Sequence, residues 1–444
     1  MRAWSPAAAG NGATGEPDWA GTVLDRLAVA HATVFLCVFA TDAALGLERY
    51  VAFFQMPIQL FLAMLAPIAL RVHLPDLLRH EGRCTIALYR DHRHVLLPFL
   101  GLVMLGFATS LLPGAYLEGG STKEVFILGY RFLMFAGAIV TAVLLWSTRW
   151  RLVLRLVLLV YVGSVLWDLA YPGTFSGVGS RASGFARNPN QAALTITLMT
   201  LMAVRYARVH ALDLAILLLG FLAVFATLSR SGLLIFAVFV LNYLYFTGRG
   251  QRLRQLVWIP VAALVLVPLA GFAISSLTGR FEIFGDPNAQ RRLATFALSN
   301  EAVYATDDVR LSLVPQYLAL IDQAPLLGHG TGFSGSLPYG AHNMYLELWV
   351  NNGLFGMLLY LWLLLGLFGL AWKRGFPPGM ALAQVLTVDG FFNHGSIQMG
   401  PVLILAGLAM GLSWCQARST RPPGAVGGTS WRPRLTTTGR GDPR

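Results

Sequence analysis

The apolar positions of this chain fall in continuous blocks of about 20 residues, separated by shorter polar connections. A block of that length spans hydrocarbon as a helix, whereas a membrane barrel needs strands that alternate apolar and polar positions. The pattern predicts an all-α polytopic membrane protein. Twelve spans are expected, at roughly 23–43, 50–70, 94–112, 125–147, 152–169, 190–206, 211–228, 232–247, 255–277, 344–371, 379–395 and 400–416. The chain then divides into a polar N-terminal segment 1–22, helices within 23–277, one long loop 278–343, further helices within 344–416, and a tail 417–444. The polar start lacks the apolar core of a cleavable signal peptide, so the first span itself is expected to direct insertion.

Within the long loop, DDVRLSLVPQYLALIDQ has a different period. Val309, Leu313, Tyr317 and Ile321 recur on one helical face, Asp307 or Asp308 suits the N-cap, Pro325 follows the end, and Pro315 is expected to kink the helix. No solenoid repeat is present.

Composition agrees with the pattern. A chain of 444 residues that is 56% hydrophobic and 12% charged has more apolar surface than a soluble core absorbs. The net charge of +12 is carried by arginines dispersed among membrane loops, which fits phospholipid headgroups and not nucleic acid. Cys37, Cys84 and Cys415 have no CxxC spacing, so neither a disulfide nor a metal site is expected.

Charge also orients the spans. With the N-terminus cytoplasmic, alternate connections carry Arg71, Arg79, Arg83, Arg90 and Arg93; Arg149 and Arg151; Arg205 and Arg208; Arg249, Arg252 and Arg254; and Lys373 with Arg374. The tail from Arg418 is basic as well and is expected to be disordered near anionic lipid.

Arginines on the opposite side run against that bias. Arg181 and Arg187 lie in VGSRASGFARNPNQAA, Arg230 in the tight turn LSRSG, and Arg280, Arg291, Arg292 and Arg310 in the long loop. A guanidinium at headgroup depth needs a partner, either lipid phosphate or a phosphate-bearing substrate that its planar fork holds bidentately. Arg131 and Asp389 are charges placed within spans. His342 stands at the threshold of the span that begins near Met344, where it either holds the turn or acts as a base. The helix dipole and nearby arginines disfavour imidazolium there, so the ring is expected to be neutral and able to accept a proton. His329 and His394 are rivals on the same side. GHGTGFSG lacks a dinucleotide-binding context and reads as a flexible backbone collar; NPN at Asn188 to Asn190 is a turn and helix-start signal; and no outer loop offers paired carboxylates for a metal.

Taken in order, RASGFARNPNQAA, LSRSG, Arg310, APLLGHGTG and AHNMYLELWVNNGLFG resemble the O-antigen ligase and polymerase superfamily of bacterial envelope glycosyltransferases. The resemblance covers about Arg181 to Gly356, and the first five spans and the tail match only in general character. It implies a GT-C-like transferase of the bacterial inner membrane with its active site facing the periplasm. The donor is implied to be a glycan on undecaprenyl pyrophosphate and the ligase acceptor a sugar hydroxyl of lipid A-core. No nucleotide, cofactor or divalent cation is implied. By motif position His342 takes the place of the essential loop histidine, Arg230 that of the arginine in the short turn, and Arg310 that of the arginine in the large loop. Arg187 or Arg181 fills the site beside the NPN turn, with Asn190, Asn343 and Tyr345 as neighbouring substrate contacts.

Among relatives, the polymerases commonly show two large loops with RX10G patterns, which Arg187 and Arg310 do not complete here. Protein O-oligosaccharyltransferases tend to carry a further C-terminal domain. The ligase is therefore favoured, with those two enzymes as runners-up. A transporter or flippase of lipid-linked sugars is the reading from another class, opposed by the clustering of charge at one face.

Overall fold

Inside hydrocarbon every backbone N–H and C=O must find a partner within the protein, and helices achieve this segment by segment. The computed structural model describes residues 19–43, 47, 57–78, 83–110, 122–146, 150–175, 181–186, 188–207, 209–247, 313–393 and 399–419. The described elements are α1 (Trp19–Phe39), α2 (Pro57–Leu78), α3 (Arg83–Asp91), α4 (Arg93–Ser110), α5 (Thr122–Trp146), α6 (Trp150–Ala170), α7 (Pro189–Ala203), α8 (Ala211–Ala226), α9 (Arg230–Thr247), α10 (313–323), α11 (Met344–Lys373), α12 (Pro377–Asp389) and α13 (Gly400–Ser419). No strand occurs among the described residues.

By length and composition α5, α6, α9, α11 and α13 can each cross a membrane, and α1, α2, α4 and α8 contribute shorter apolar stretches. The span expected at 255–277 lies outside the described residues. The helices at the spans expected for 190–206 and 379–395 are shorter than expected, at 15 and 13 residues for α7 and α12. α7 is buried from Ala192 through Ala203, so it is surrounded by protein and its ends need not reach headgroups. α8 shows the opposite case. Leu214, Leu218 and Leu222, four residues apart, face outward, while Asp213, Ile216, Gly220 and Ala223 face in. The connection expected after α2 contains α3 as well, whose Ala87 and Leu88 are buried and whose Tyr89 hydroxyl bonds His73 of α2.

α5 and α13 approach closely because α13 offers glycine at the crossing. A Cβ on Gly407 would lie 2.4 Å from the carbonyl oxygen of Phe135, and one on Gly411 2.5 Å from the Cβ of Ala142. These contacts show that α5 and α13 run the same way. Glu124, at the start of α5, abuts Gly332 in the loop before α11, while Arg374, just past α11, reaches Ser413 near the end of α13. The bundle thus has a loop end, with residues 324–343 and the start of α5, and a far end, with Trp150 and Arg374. The predicted basic connections that the structure describes, including Arg93, Arg151, Arg205, Lys373 and Arg374, share the far end.

Candidate active site

Among the described residues, two chain segments carry the candidate side chains at the loop end. In the first, Asp168, near the end of α6, collects backbone donors: its Oδ1 accepts from Phe175 N at 3.0 Å and its Oδ2 from Ser183 N at 2.8 Å and Gly184 N at 3.3 Å. That carboxylate, fully buried, fixes the RASGFA stretch against α6. Asn188 then caps α7, its side chain accepting from Asn190 N, and Pro189 occupies the first turn, where it has no hydrogen bond to lose. The NPN signal is therefore realised as a helix start.

Arg181 is buried at 6% exposure. Its Nε donates to Thr227 O at 3.0 Å and its Nη2 to Asn190 Oδ1 at 3.0 Å, which ties the first segment to the LSRSG turn. Ser229 Oγ donates to the same Asn190 oxygen at 2.8 Å and accepts from Gly232 N at 3.0 Å, so Ser229 is the N-cap of α9. Leu228 before it has φ of 50°, a left-handed conformation that costs a side-chain-bearing residue energy. The outcome is that Arg230, half-buried, occupies the first position of α9, where the helix N-terminus adds its own attraction for an anion.

The second segment is the approach to α11. Asn343 is the N-cap, its Oδ1 accepting from Tyr345 N and Leu346 N. His342 precedes it with φ of 48° and is half-buried. The Met344 N–H donates to Gly390 O and the Tyr345 hydroxyl to Thr387 O, so the end of α12 seats the head of α11. α12 packs against both α9 and α11.

Behind His342 the helix is broken. Gly353 has φ of 66° and ψ of −169°, which frees carbonyls above it. His329 N and Gly330 N donate to Val350 O and Asn351 O at 2.8 and 2.9 Å, and Leu354 N turns to Pro325 O at 2.9 Å. The glycine-rich collar is thus an inserted strip of backbone that completes α11's hydrogen bonding. Gly328 and Gly353 meet backbone to backbone: a Cβ on Gly353 would lie 2.1 Å from Leu326 O. Above the strip, α10 buries Leu313, Tyr317 and Ile321 against Phe333, Ala341 and Val350. The Tyr317 hydroxyl donates to Tyr339 O, and burial, followed by the charge of Glu347, pushes its pKa up to about 12.

His329 has a structural position. Its ring stacks on Phe333 with centroids 4.5 Å apart and its Nε2 bonds Leu320 O at 2.9 Å. Arg187, Arg310 and His394 lie outside the described residues.

Sequence reasoning passed over a polar core beneath the loop. Glu347, 4% exposed, accepts from Ser334 Oγ; Asn351 exchanges hydrogen bonds with Ser334; and Asn352 donates to Thr331 Oγ1. The carboxylates of Glu124 and Glu347 both act on Arg131, the intramembrane arginine singled out in the sequence. The signal that could have found Glu347 and Asp168 is the same one: a carboxylate within a turn or two of an apolar helix's end. Among the described residues no three His, Cys, Asp or Glu side chains cluster as a metal-binding set.

A comparison with curated proteins finds no match. Residues 215–361, running from α8 into α11, match the family model described as O-Antigen ligase.

Proposed function

We propose that this protein is an O-antigen ligase, a membrane glycosyltransferase that moves a glycan from undecaprenyl pyrophosphate to a sugar hydroxyl of lipid A-core at the periplasmic face of the inner membrane. The observation that carries the reading is the placement of Arg230 and His342, both within the family-matched segment, at the same end of the bundle and each at the head of a helix.

In this mechanism His342 takes the proton of the acceptor hydroxyl as that oxygen attacks the anomeric carbon. The bond from the anomeric carbon to the pyrophosphate oxygen breaks, and the electron pair leaves with the pyrophosphate. Arg230, aided by the N-terminus of α9, holds that anion, with Arg310 of the long loop as the second clamp. Single displacement inverts the sugar carbon. Arginine performs the charge stabilisation here, so divalent cation is not required. Arg181 and Asn190 act by bracing the Arg230 turn and bordering the donor, while Asn343 and Tyr345 hold the head of α11 at the acceptor.

The test is transfer by purified full-length protein in detergent, with lipid-linked glycan donor, lipid A-core acceptor and EDTA. Wild type is expected to transfer, and His342→Ala and Arg230→Ala to lose transfer while remaining folded. Joining of donor glycans to one another with the core untouched would make it a polymerase; normal transfer by both variants would remove the proposed site.

A further inference from the structure

At the far end, the N-termini of α6 and α8 meet the C-terminus of α7, and three arginines converge. Arg155 is fully engaged: its Nη2 pairs with the buried carboxylate of Asp213 at 2.8 Å and its Nε donates to Ala203 O at 3.1 Å, closing α7. Arg151 and Arg205 are different. Among the described residues neither makes a hydrogen bond or ion pair; the Arg151 guanidinium lies 4.3 Å over the Trp150 ring, and its buried Nε lacks an acceptor. The guanidinium charges acting on Arg151 are those of Arg155 and Arg205, against the single carboxylate of Asp213.

Three guanidiniums facing one carboxylate leave an excess of positive charge. The positive end of the α8 dipole adds to it, since His210 caps that helix without a side-chain hydrogen bond. Trp150 and Tyr206 lie beside Arg151, and the Tyr206 ring meets that of Phe246 with centroids 6.3 Å apart, the aromatic composition of a headgroup layer. Toward the bundle centre from Arg151, Leu152, Leu156 and Leu159 of α6 and Leu214 and Leu218 of α8 are exposed, and the two helices pack together. A planar fork suits phosphate oxygens, and the leucines beside it suit acyl chains.

We propose that Arg151, Arg155 and Arg205 form a phosphate site for the headgroup of an anionic membrane lipid whose acyl chains lie along the exposed leucines of α6 and α8. A lipid without an ammonium group fits best, because the excess positive charge repels one. The site is independent of the transferase chemistry at the loop end.

Native mass spectrometry of the full chain, titrated separately with phosphatidylglycerol, phosphatidylcholine of the same chains, and inorganic phosphate, tests this. Phosphatidylglycerol is expected to bind wild type in preference to the other two. Arg151→Gln with Arg205→Gln should weaken it roughly thirtyfold, taking about one charge-assisted contact's worth from each arginine. Arg205→Gln alone should weaken it several-fold and serves if the double variant does not fold, while the exposed Arg90→Gln should leave binding unchanged. Equal binding of both lipids, or unchanged binding in the double and single variants, overturns the site. Inorganic phosphate bound as tightly as the lipid would overturn the lipid assignment in favour of a free anion.

Discussion

The two ends of the bundle use arginine and backbone in opposite ways. At the far end, Arg374 is spent on bracing: it donates to Ser413 Oγ at 2.9 Å, Met410 O at 3.2 Å and Asp91 O at 2.9 Å, and reaches the His92 ring at 3.1 Å. Trp414 Nε1 donates to Asp91 Oδ2, and Arg418 lies 4.2 Å over the Trp414 ring. At the loop end, the side-chain-bearing residues with positive φ are Asp42, Leu228 and His342, and among the described residues none occurs at the far end. The α11 break at Gly353 belongs to the loop end too. Left-handed backbone costs about 1–3 kcal/mol per residue and persists only where the surroundings over-determine it. Strain therefore sits beside Arg230 and His342, and the hydrogen-bonded network around Arg374 sits opposite.

The sharpest way to break that contrast is to remove one residue from each end. His342→Ala is expected to lower the transfer rate about 10²–10⁴ fold with little change in stability, as removal of a general base should. Arg374→Ala should do the reverse, lowering the melting temperature in detergent while transfer per folded molecule persists. If Arg374→Ala abolishes transfer in folded protein, the two ends are not separable in function.

Gly353→Ala should come next. The added Cβ meets Leu326 O at 2.1 Å and the left-handed φ is unfavourable for alanine, so a destabilisation of about 3 kcal/mol or more is expected, read as a lower melting temperature. Retention of wild-type stability would mean that the collar docks without this close approach.

His92 sharpens the comparison through pH. Burial first, then the charge of Arg374, lowers its pKa to about 4, so the folded ring is neutral: Nδ1–H donates to Leu88 O at 2.6 Å and Nε2 accepts from Arg374. Met410 O, also near Nε2 at 3.1 Å, receives donors from Arg374 and Ser413 instead. Because the folded pKa is depressed, this contribution is complete above the unfolded value of about 6.5 and declines as pH falls toward 4, by on the order of 3 kcal/mol. Melting temperature measured from pH 7 to 4 should fall, and His92→Asn should flatten that dependence.

Ser229→Ala should give the smallest effect. Loss of the α9 cap costs about 1 kcal/mol, and because the cap also holds Asn190 and orients the Arg230 turn, a several-fold loss of transfer is expected beside it. Ser229→Asn, which can still cap, should restore most of the stability.

The helical nature of the chain, its apolar blocks, the buried face formed by Leu313, Tyr317 and Ile321, and the helix start at NPN could all be read from local spacing, because each depends on residues within a turn or two of one another. His342 and Arg230 stood out because a charge at the edge of an apolar block conflicts with its surroundings in any fold. Other features depended on contacts between distant segments. The burial of Arg181 between Thr227 and Asn190, the centrality of the short α7, the collar that replaces hydrogen bonds of the broken α11, and the convergence of Arg151, Arg155 and Arg205 have no local signature. Sequence determined which segments are helical and which residues are costly to leave unpartnered. Only the packing of helices far apart in the chain decided what those residues meet.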